Sequence, residues 1–252
     1  MATEPKIYRK NYINGDCTIS VSSNPSFKSR LYDFDIDATW DSSGQNDDTN
    51  LCSIVVEFPV ATRLDHFILL NHNLKNPLVY AWDGADWVLI ALATNVAAST
   101  TVMVSDSTTT TKIMLLDYDT QTVNAEKSIG DFIATELWVD PGVDLSSYDV
   151  TYEEKGFSIM LADGSLHRSV IHSTPTRTSK YTARVRFDYL SKTTLDLFGA
   201  IKEAGGVLVW QPESITQPEI IYQVNWTNGL RYRYISTYKG AGFQLDMDLR
   251  EV

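Results

Sequence analysis

Cysteine, histidine and positive charge are all scarce in this sequence. Its 252 residues include two cysteines, Cys17 and Cys52, and four histidines, and 21 Lys and Arg face 32 Asp and Glu for a formal net charge of -11. Two cysteines are too few for a disulfide scaffold; a pair of reduced buried thiols is the expectation, with a single cross-link as the alternative. So negative a chain is poorly suited to grip a nucleic-acid backbone, which needs a surplus of Lys and Arg. No run approaches the roughly 18 apolar residues of a membrane span. The longest, around Phe67–Leu70 and Val88–Ala93, are strand-sized. The stretch Met1–Lys10 has no apolar core, so a secretory signal and membrane insertion are both unexpected. The 43% hydrophobic and 21% charged fractions exclude wholesale disorder and collagen.

Catalytic motifs are missing as well. There is no HExxH, CxxC or GxSxG. His66 and His72 would share a strand face about 20 Å apart, and His167 and His172 would point to opposite faces. Gly240-Ala241-Gly242 precedes a strand rather than a helix, so it is no phosphate loop. Asp33, Asp35 and Asp37 form a D-x-D-x-D run, but an EF-hand would need Gly and Glu where Ala38 and Gly44 stand. A different calcium site using Asp33, Asp37 or the Asp47-Asp48 pair stays open beside the plainer reading, in which Tyr32, Phe34 and Ile36 face a core. With 32 acids, some carboxylate pair always has glycosidase spacing, so that test decides nothing. The sequon at Asn225-Trp226-Thr227 falls in an expected strand and is taken as chance. No enzyme, no cofactor and no transition metal are expected.

What is abundant is β-forming sequence: 25 threonines with many Val, Ile and Tyr. Ile54–Phe58, Phe67–Leu70 and Lys112–Leu116 read as buried strands. Val79–Trp82 and Trp87–Ile90 flank Asp83–Asp86 as a hairpin with a four-residue loop. Further on, Ala183, Val185, Phe187 and Tyr189 alternate with Thr182, Arg184, Arg186 and Asp188, and Phe243, Leu245, Met247 and Leu249 alternate with polar partners. One helix is expected over 192–204, capped by Ser191, with Leu197, Phe198, Ile201 and Ala204 as its apolar stripe and Gly205-Gly206 at its end. Asp140-Pro141-Gly142 interrupts the pattern, and the charge changes there from net -9 to net -2. The division is into residues 1–138, a β-sandwich, and 139–252, a second β-sandwich or barrel with one packed helix.

Two residue sets are candidates for function. Trp40, Trp82 and Trp87 could form a platform on which pyranose rings stack, against the commoner fate of tryptophan in a core. Arg184 and Arg186 on one strand face, and Arg231 and Arg233 on another, form basic stripes. In so acidic a protein, such stripes are expected to meet acidic faces of neighbouring subunits, with Asp246 and Asp248 as their counterparts.

The progression Thr18–Ser23, Leu31-Tyr32-Asp33, Thr39-Trp40-Asp41-Ser42 and Ser53–Phe58 resembles discoidin-like, or galactose-binding-like, jelly rolls. The continuation Leu64–Asn73, with Leu70-Asn71-His72-Asn73, resembles the version found in bacteriophage tail proteins. Arg184–Leu190 with the following helix, Val209–Pro212 and Gly242–Val252 are similar to the tail-tube-like domains of phage distal-tail and baseplate proteins. In those proteins the ring-forming domain usually comes first, whereas here the jelly roll leads. The resemblance implies a structural virion protein, assembled in the host cytoplasm, whose second module forms a homo-oligomeric, sixfold ring. It would contact neighbouring tube, hub and tape-measure proteins. The alternative is a carbohydrate-binding module that recognises a cell-surface glycan.

Overall fold

In a computed structural model, residues 4–252 are described except 34, 36–37, 45–46, 155, 161–165, 171–178, 216, 218–219 and 238–239, with backbone alone for the rest of 151–180. The chain is mainly β. Strand β1 (Lys6–Tyr8) is followed by the strands of the first module: β2 (Thr18–Val21), β3 (Trp40–Asp41), β4 (Cys52–His72), β5 (Leu78–Trp82), β6 (Trp87–Leu92), β7 (Thr101–Asp117) and β8 (Ser128–Thr135).

Strands β4 and β7 are long enough to serve both layers of a sandwich. The first half of β4 pairs with β2 and β7, and its second half pairs with β7 and β8. Register shifts between Glu57 and Thr62, and between Leu64 and His66, mark the bend. The strands form one continuous seven-stranded sheet, β3-β8-β4-β7-β5-β6 with β2 on β4, and the bend folds it into a β2-β4-β7-β5-β6 layer and a β3-β8-β4-β7 layer. Ile54, Val56, Val79, Ile113 and Leu115 from the first meet Trp40, Phe67, Leu69, Met103 and Phe132 from the second in one buried core. The Trp82↔Trp87 pairing closes the expected hairpin over Asp83–Asp86. This is the two-layer, jelly-roll-like sandwich that the resemblance implied.

The second module contains β9 (Leu137–Val139), β10 (Leu145–Glu154), β11 (Gly156–Met160), β12 (Leu166–Val170), β13 (Ser179–Leu190), α1 (Lys192–Ala204), β14 (Val207–Gln211), β15 (Tyr222–Trp226), β16 (Arg231–Thr237) and β17 (Gly240–Glu251). Its main sheet runs β10-β13-β17-β15-β14-β1-β9, with β16 on β17; β11 and β12 pair with each other. The helix is capped as expected: Ser191 Oγ accepts from Thr194 N–H at 3.0 Å, and Gly205 ends it with φ +62°. Its buried stripe is Leu195, Phe198 and Ile201, packed on Phe187, Trp226 and their neighbours. Leu197, expected in that stripe, is 41% exposed, because one helical position rotates it by about 100° away from Phe198. No helix among the described residues is long and apolar enough to cross a membrane.

The modules are not strung apart. Strand β1, which the 1–138 division assigns to the first module, pairs with β9 and β14 of the second sheet. A third core, of Tyr8, Ile68, Leu70, Ile133, Val209 and Ile221, lies between the modules. Ile68, Leu70 and Ile133 come from the outward side of the β8–β4 layer. One outer face of the jelly roll is thus covered by the chain itself.

Candidate functional site

The opposite outer face is not covered. Directly opposed residues in an antiparallel sheet share a face, so the register assigns it strand by strand. Leu116, Leu78 and Leu92 form one row, Val55, Met114, Tyr80 and Leu89 a second, and Trp82 with Trp87 a third. None of these belongs to a buried core cluster, and Leu89 and Leu92 are 42% and 51% exposed. The sequence pattern suggests buried strand residues at Val55 and Met114, since they sit in runs that are apolar in both phases. Trp82 and Trp87 stand 5.5 Å apart between ring centroids, at 65°. At their end of the face lie the exposed Asp83 and Asp86. The backbone N–H groups of Asp86 and Ala85 both donate to Asp83 Oδ1 at 2.8 Å and hold its carboxyl below the usual range. The cation on this face, Lys112, is 3.3 Å from Glu57 Oε1.

Trp40 does not join the other two tryptophans. It is fully buried, opposite Ile129 across β3–β8, and the platform is reduced to Trp82 and Trp87 with Tyr80 beside them. Ser42, two residues on, is buried too and bonded to the Lys127 backbone.

On the second sheet, the arginine stripe finds its acids within the chain. Arg184 Nε lies 3.0 Å from Asp248 Oδ1 and Arg186 Nε 2.6 Å from Asp246 Oδ1, directly across the β13–β17 register. The hydrogen bond to Asp246 raises the Arg186 pKa further. The premise that these arginines need another subunit's carboxylates is therefore corrected: strand pairing supplies Asp246 and Asp248. A polar cavity of about 510 Å³ beside Arg184, Asp248 and Arg250 is lined by this ion-paired face.

Arg231 and Arg233 sit elsewhere, on β16. This strand and the start of β17 form an arm, paired from Arg231↔Asp246 to Thr237↔Gly240. Among the described residues its outer edge pairs with no strand. Tyr232 and Tyr234, 55% and 64% exposed, pack edge-on against Phe243. On the reverse side Arg233 Nε donates to Gln244 Oε1 at 2.6 Å, and Gln244 Nε2 donates to Asp188 Oδ1 at 2.5 Å.

The loop region proposed for calcium is organised differently. The fully buried Lys127 donates from Nζ to the Asp47 carbonyl oxygen at 2.7 Å. Asp48 accepts from Thr120 and Asn124, and Asp47 Oδ1 from Thr49 N–H. Desolvation raises the Asp48 pKa, but these hydrogen bonds outweigh it and the net shift is downward. Among the described residues no three His, Cys, Asp or Glu side chains are grouped to hold a metal. Phe34, Ile36, Asp37 and His172, and the His167 side chain, lie outside what is described. His66 is held by Asp65 Oδ1 at 2.5 Å, and His72 bonds Thr101 Oγ1 at 2.9 Å, so the two are engaged separately. Both cysteines are free thiols, and burial pushes Cys52 up to about 12.

No protein-family profile matches the chain, and no curated protein matches it in sequence. Among solved structures, the family 32 CBM from Clostridium perfringens NanJ, in complex with galactose, shares 16% identity at a TM-score of 0.44, covering 52% of this chain and 99% of that one. CpGH89CBM32-5 from C. perfringens, in complex with GalNAc-β-1,3-galactose, shares 15% at a TM-score of 0.42, over 48% and 96%. A variant of chitosan-binding module 1 from a Paenibacillus sp. IK-5 chitosanase/glucanase shares 14% at 0.44, over 51% and 99%.

Proposed function

We propose that the protein is a non-catalytic structural component of a larger assembly, in the terms of the sequence resemblance a virion protein of a phage tail with a distal-tail, baseplate or tail-tip ring role. The observation that carries this reading is the arm. An exposed aromatic ribbon with an unpaired edge is costly for a solitary molecule and natural for one that completes its sheet or covers its rings in a neighbour. The second module would then build the ring and carry the jelly roll on its outside. Light scattering and electron micrographs of the purified chain test the reading: closed homo-oligomers are expected, and a monomer at every accessible concentration refutes it. No turnover of a glycan panel is expected either.

A second reading, that of a carbohydrate-binding module, is favoured by the Trp82–Trp87 pair. Two partly buried indoles with Tyr80 beside them offer ring faces to pyranose C–H groups, and the nearby carboxylates of Asp83 and Asp86 can accept from sugar hydroxyls. A glycan array with the wild type and the Trp82→Ala and Trp87→Ala variants tests it. A signal lost in both variants supports a glycan site on this face, and a signal unchanged in both removes it.

A further inference from the structure

Where the chain leaves β1 for the jelly roll, it faces the end of the helix. Arg9, Lys10 and Tyr12 follow β1, and Trp138 lies in β9. Across a cleft of about 340 Å³ from them stand Ala204, Gly205 and Gly206, where α1 ends. One wall of the cleft is cationic. The Arg9 guanidinium carbon sits 4.2 Å from the centre of the Trp138 ring, and Lys10 Nζ 6.0 Å from that of Tyr12. Arg9 Nε is 2.9 Å from Glu136 Oε2, but Arg63 Nε is 3.3 Å from the other oxygen, so one carboxylate is divided between two guanidiniums. Lys10 is exposed and has no carboxylate partner among the described residues. Burial raises the Tyr12 pKa, with Arg9 opposing, and its hydroxyl has no hydrogen-bond partner among the described residues.

The other wall is backbone. Gly205 and Gly206 hold φ of +62° and +84°, and a Cβ on either would meet nothing within 4 Å. The Gly205 N–H closes on the Ile201 carbonyl. The carbonyls after it are left as acceptors at the negative end of the helix.

We propose that this cleft binds one sugar-acid residue, a hydroxylated ring that carries a carboxylate. The carboxylate lies against Lys10 and Arg9, and ring hydroxyls donate to the carbonyls at the end of α1. The two walls together select this chemistry. A bare anion meets the cations but also the negative end of a helix, and has nothing to donate to it. A neutral sugar serves the carbonyls and leaves the cations unused. A carboxylate flanked by hydroxyls serves both walls, and the Tyr12 hydroxyl is one more donor to it. The Trp138 and Tyr12 rings already carry a cation each, so they offer apolar edges to the sugar C–H groups rather than an open platform. The volume lies near the ~300 Å³ lower end of ligand pockets, which suits a single ring. The chain's net charge of -11 opposes any anion at long range, so affinity comes from contacts inside the cleft. This site goes beyond both readings above, because it shares no residue with the arm or with the Trp82–Trp87 pair.

Calorimetric titration of the full chain with glucuronate, glucose and acetate, at about pH 7 where the carboxylates are ionised, tests the proposal. Glucuronate should bind at least tenfold more tightly than either of the others. Lys10→Met removes a cation from an exposed position and should weaken glucuronate at least tenfold. Ala204→Trp crowds the cleft with every cation in place and should abolish binding. Trp82→Ala and Trp87→Ala should leave it unchanged. Circular dichroism checks the folding of each variant, and if Lys10→Met or Ala204→Trp fails to fold, the other decides the placement. Glucuronate that binds no better than acetate overturns the part given to the helix-end carbonyls, and glucuronate no better than glucose overturns the part given to the cations; either result ends the sugar-acid assignment. Affinity lost in Trp82→Ala but kept in Lys10→Met and Ala204→Trp overturns this site and supports the glycan reading on the outer face. No binding of glucuronate at all overturns the site and leaves the assembly reading standing.

Discussion

Tyr8 and Val209 stand directly opposite each other across β1–β14, and both enter the core that also holds Ile68, Leu70 and Ile133 of the jelly roll. The Tyr8 hydroxyl donates to Gln211 Oε1 at 2.7 Å, and burial pushes its pKa upward. The first strand of the chain thereby ties the jelly roll to a sheet completed near the far end of the chain.

The first prediction concerns this coupling. Urea unfolding of the full chain, followed by tryptophan fluorescence and by far-ultraviolet circular dichroism, should give one coincident transition. Ile133→Ala should cost about 2–5 kcal/mol, the range for emptying a buried isoleucine site, and should shift both signals together. Two separated transitions, with only one moved by the substitution, would show that the shared core does not couple the modules.

The second concerns His72. Its Nδ1 accepts the Leu74 N–H at 3.1 Å, which leaves the proton on Nε2 to donate to Thr101 Oγ1. Burial disfavours a second proton and pushes the pKa down to about 4 from 6.5. The folded state therefore resists protonation where the unfolded chain accepts it. Stability from this group is complete above pH 6.5, declines as pH falls toward 4, and is fully lost below. The decline amounts to about 3 kcal/mol, since each tenfold difference in proton affinity between the folded and unfolded states is worth about 1.4 kcal/mol. Chemical denaturation at pH 7 and pH 4.5, compared with His72→Gln, checks it: the variant should lose most of this pH dependence, and equal slopes in both proteins would refute the assignment.

Much of this fold was legible in local chemistry and much of the site was not. The Asp83–Asp86 hairpin, the Ser191 cap, the Gly205 stop and the alternations over 183–187 and 243–249 are local signals, and the structure follows them. Strand β1 is three residues long and pairs with residues about two hundred positions away, so no period could reveal it. The outer face is hidden for a different reason. When both phases of a strand are apolar, as in Val79-Tyr80-Ala81-Trp82, alternation cannot say which side will be left open. Trp40 failed in the other direction, since tertiary packing buried an indole flanked by polar residues.

The third prediction addresses the cation that the loops do contain. Lys127 is fully buried, and its ammonium bonds the Asp47 carbonyl, while Lys127 N–H donates to Ser42 Oγ. The internal charge supports the loop carrying Asp47 and Asp48, whose carboxylates are already occupied by N–H and O–H donors. Lys127→Met should lower stability by about 1–3 kcal/mol, the cost of leaving the Asp47 carbonyl without its donor, and neither calcium nor a chelator should change the wild-type melting temperature. A calcium-dependent rise of several degrees would place an ion there after all.

The last prediction joins stability to assembly through Gly242. A Cβ on this residue would come within 2.7–2.8 Å of the Cα, carbonyl carbon and oxygen of Tyr189. Tyr189 is itself held at φ +62°, where the β13–β17 register shifts between Phe187 and Leu190. The close approach exists because β13 bulges over the strand from which the arm departs, and glycine alone leaves room for it. Gly242→Ala forces the two backbones apart at the base of the arm. Its cost should be about 1–3 kcal/mol, the range for overpacking. It should also change the pitch of Tyr232, Tyr234 and Phe243, which extend from that point. The expected result is a folded chain with a lowered melting temperature and a homo-oligomer that dissociates at higher concentrations than the wild type. Gly229→Ala is the control, since a Cβ there meets nothing within 4 Å, and it should leave both measurements close to wild type. If Gly242→Ala lowers stability yet leaves the oligomer at wild-type strength, the arm's exact placement does not matter to assembly and the contact must lie elsewhere.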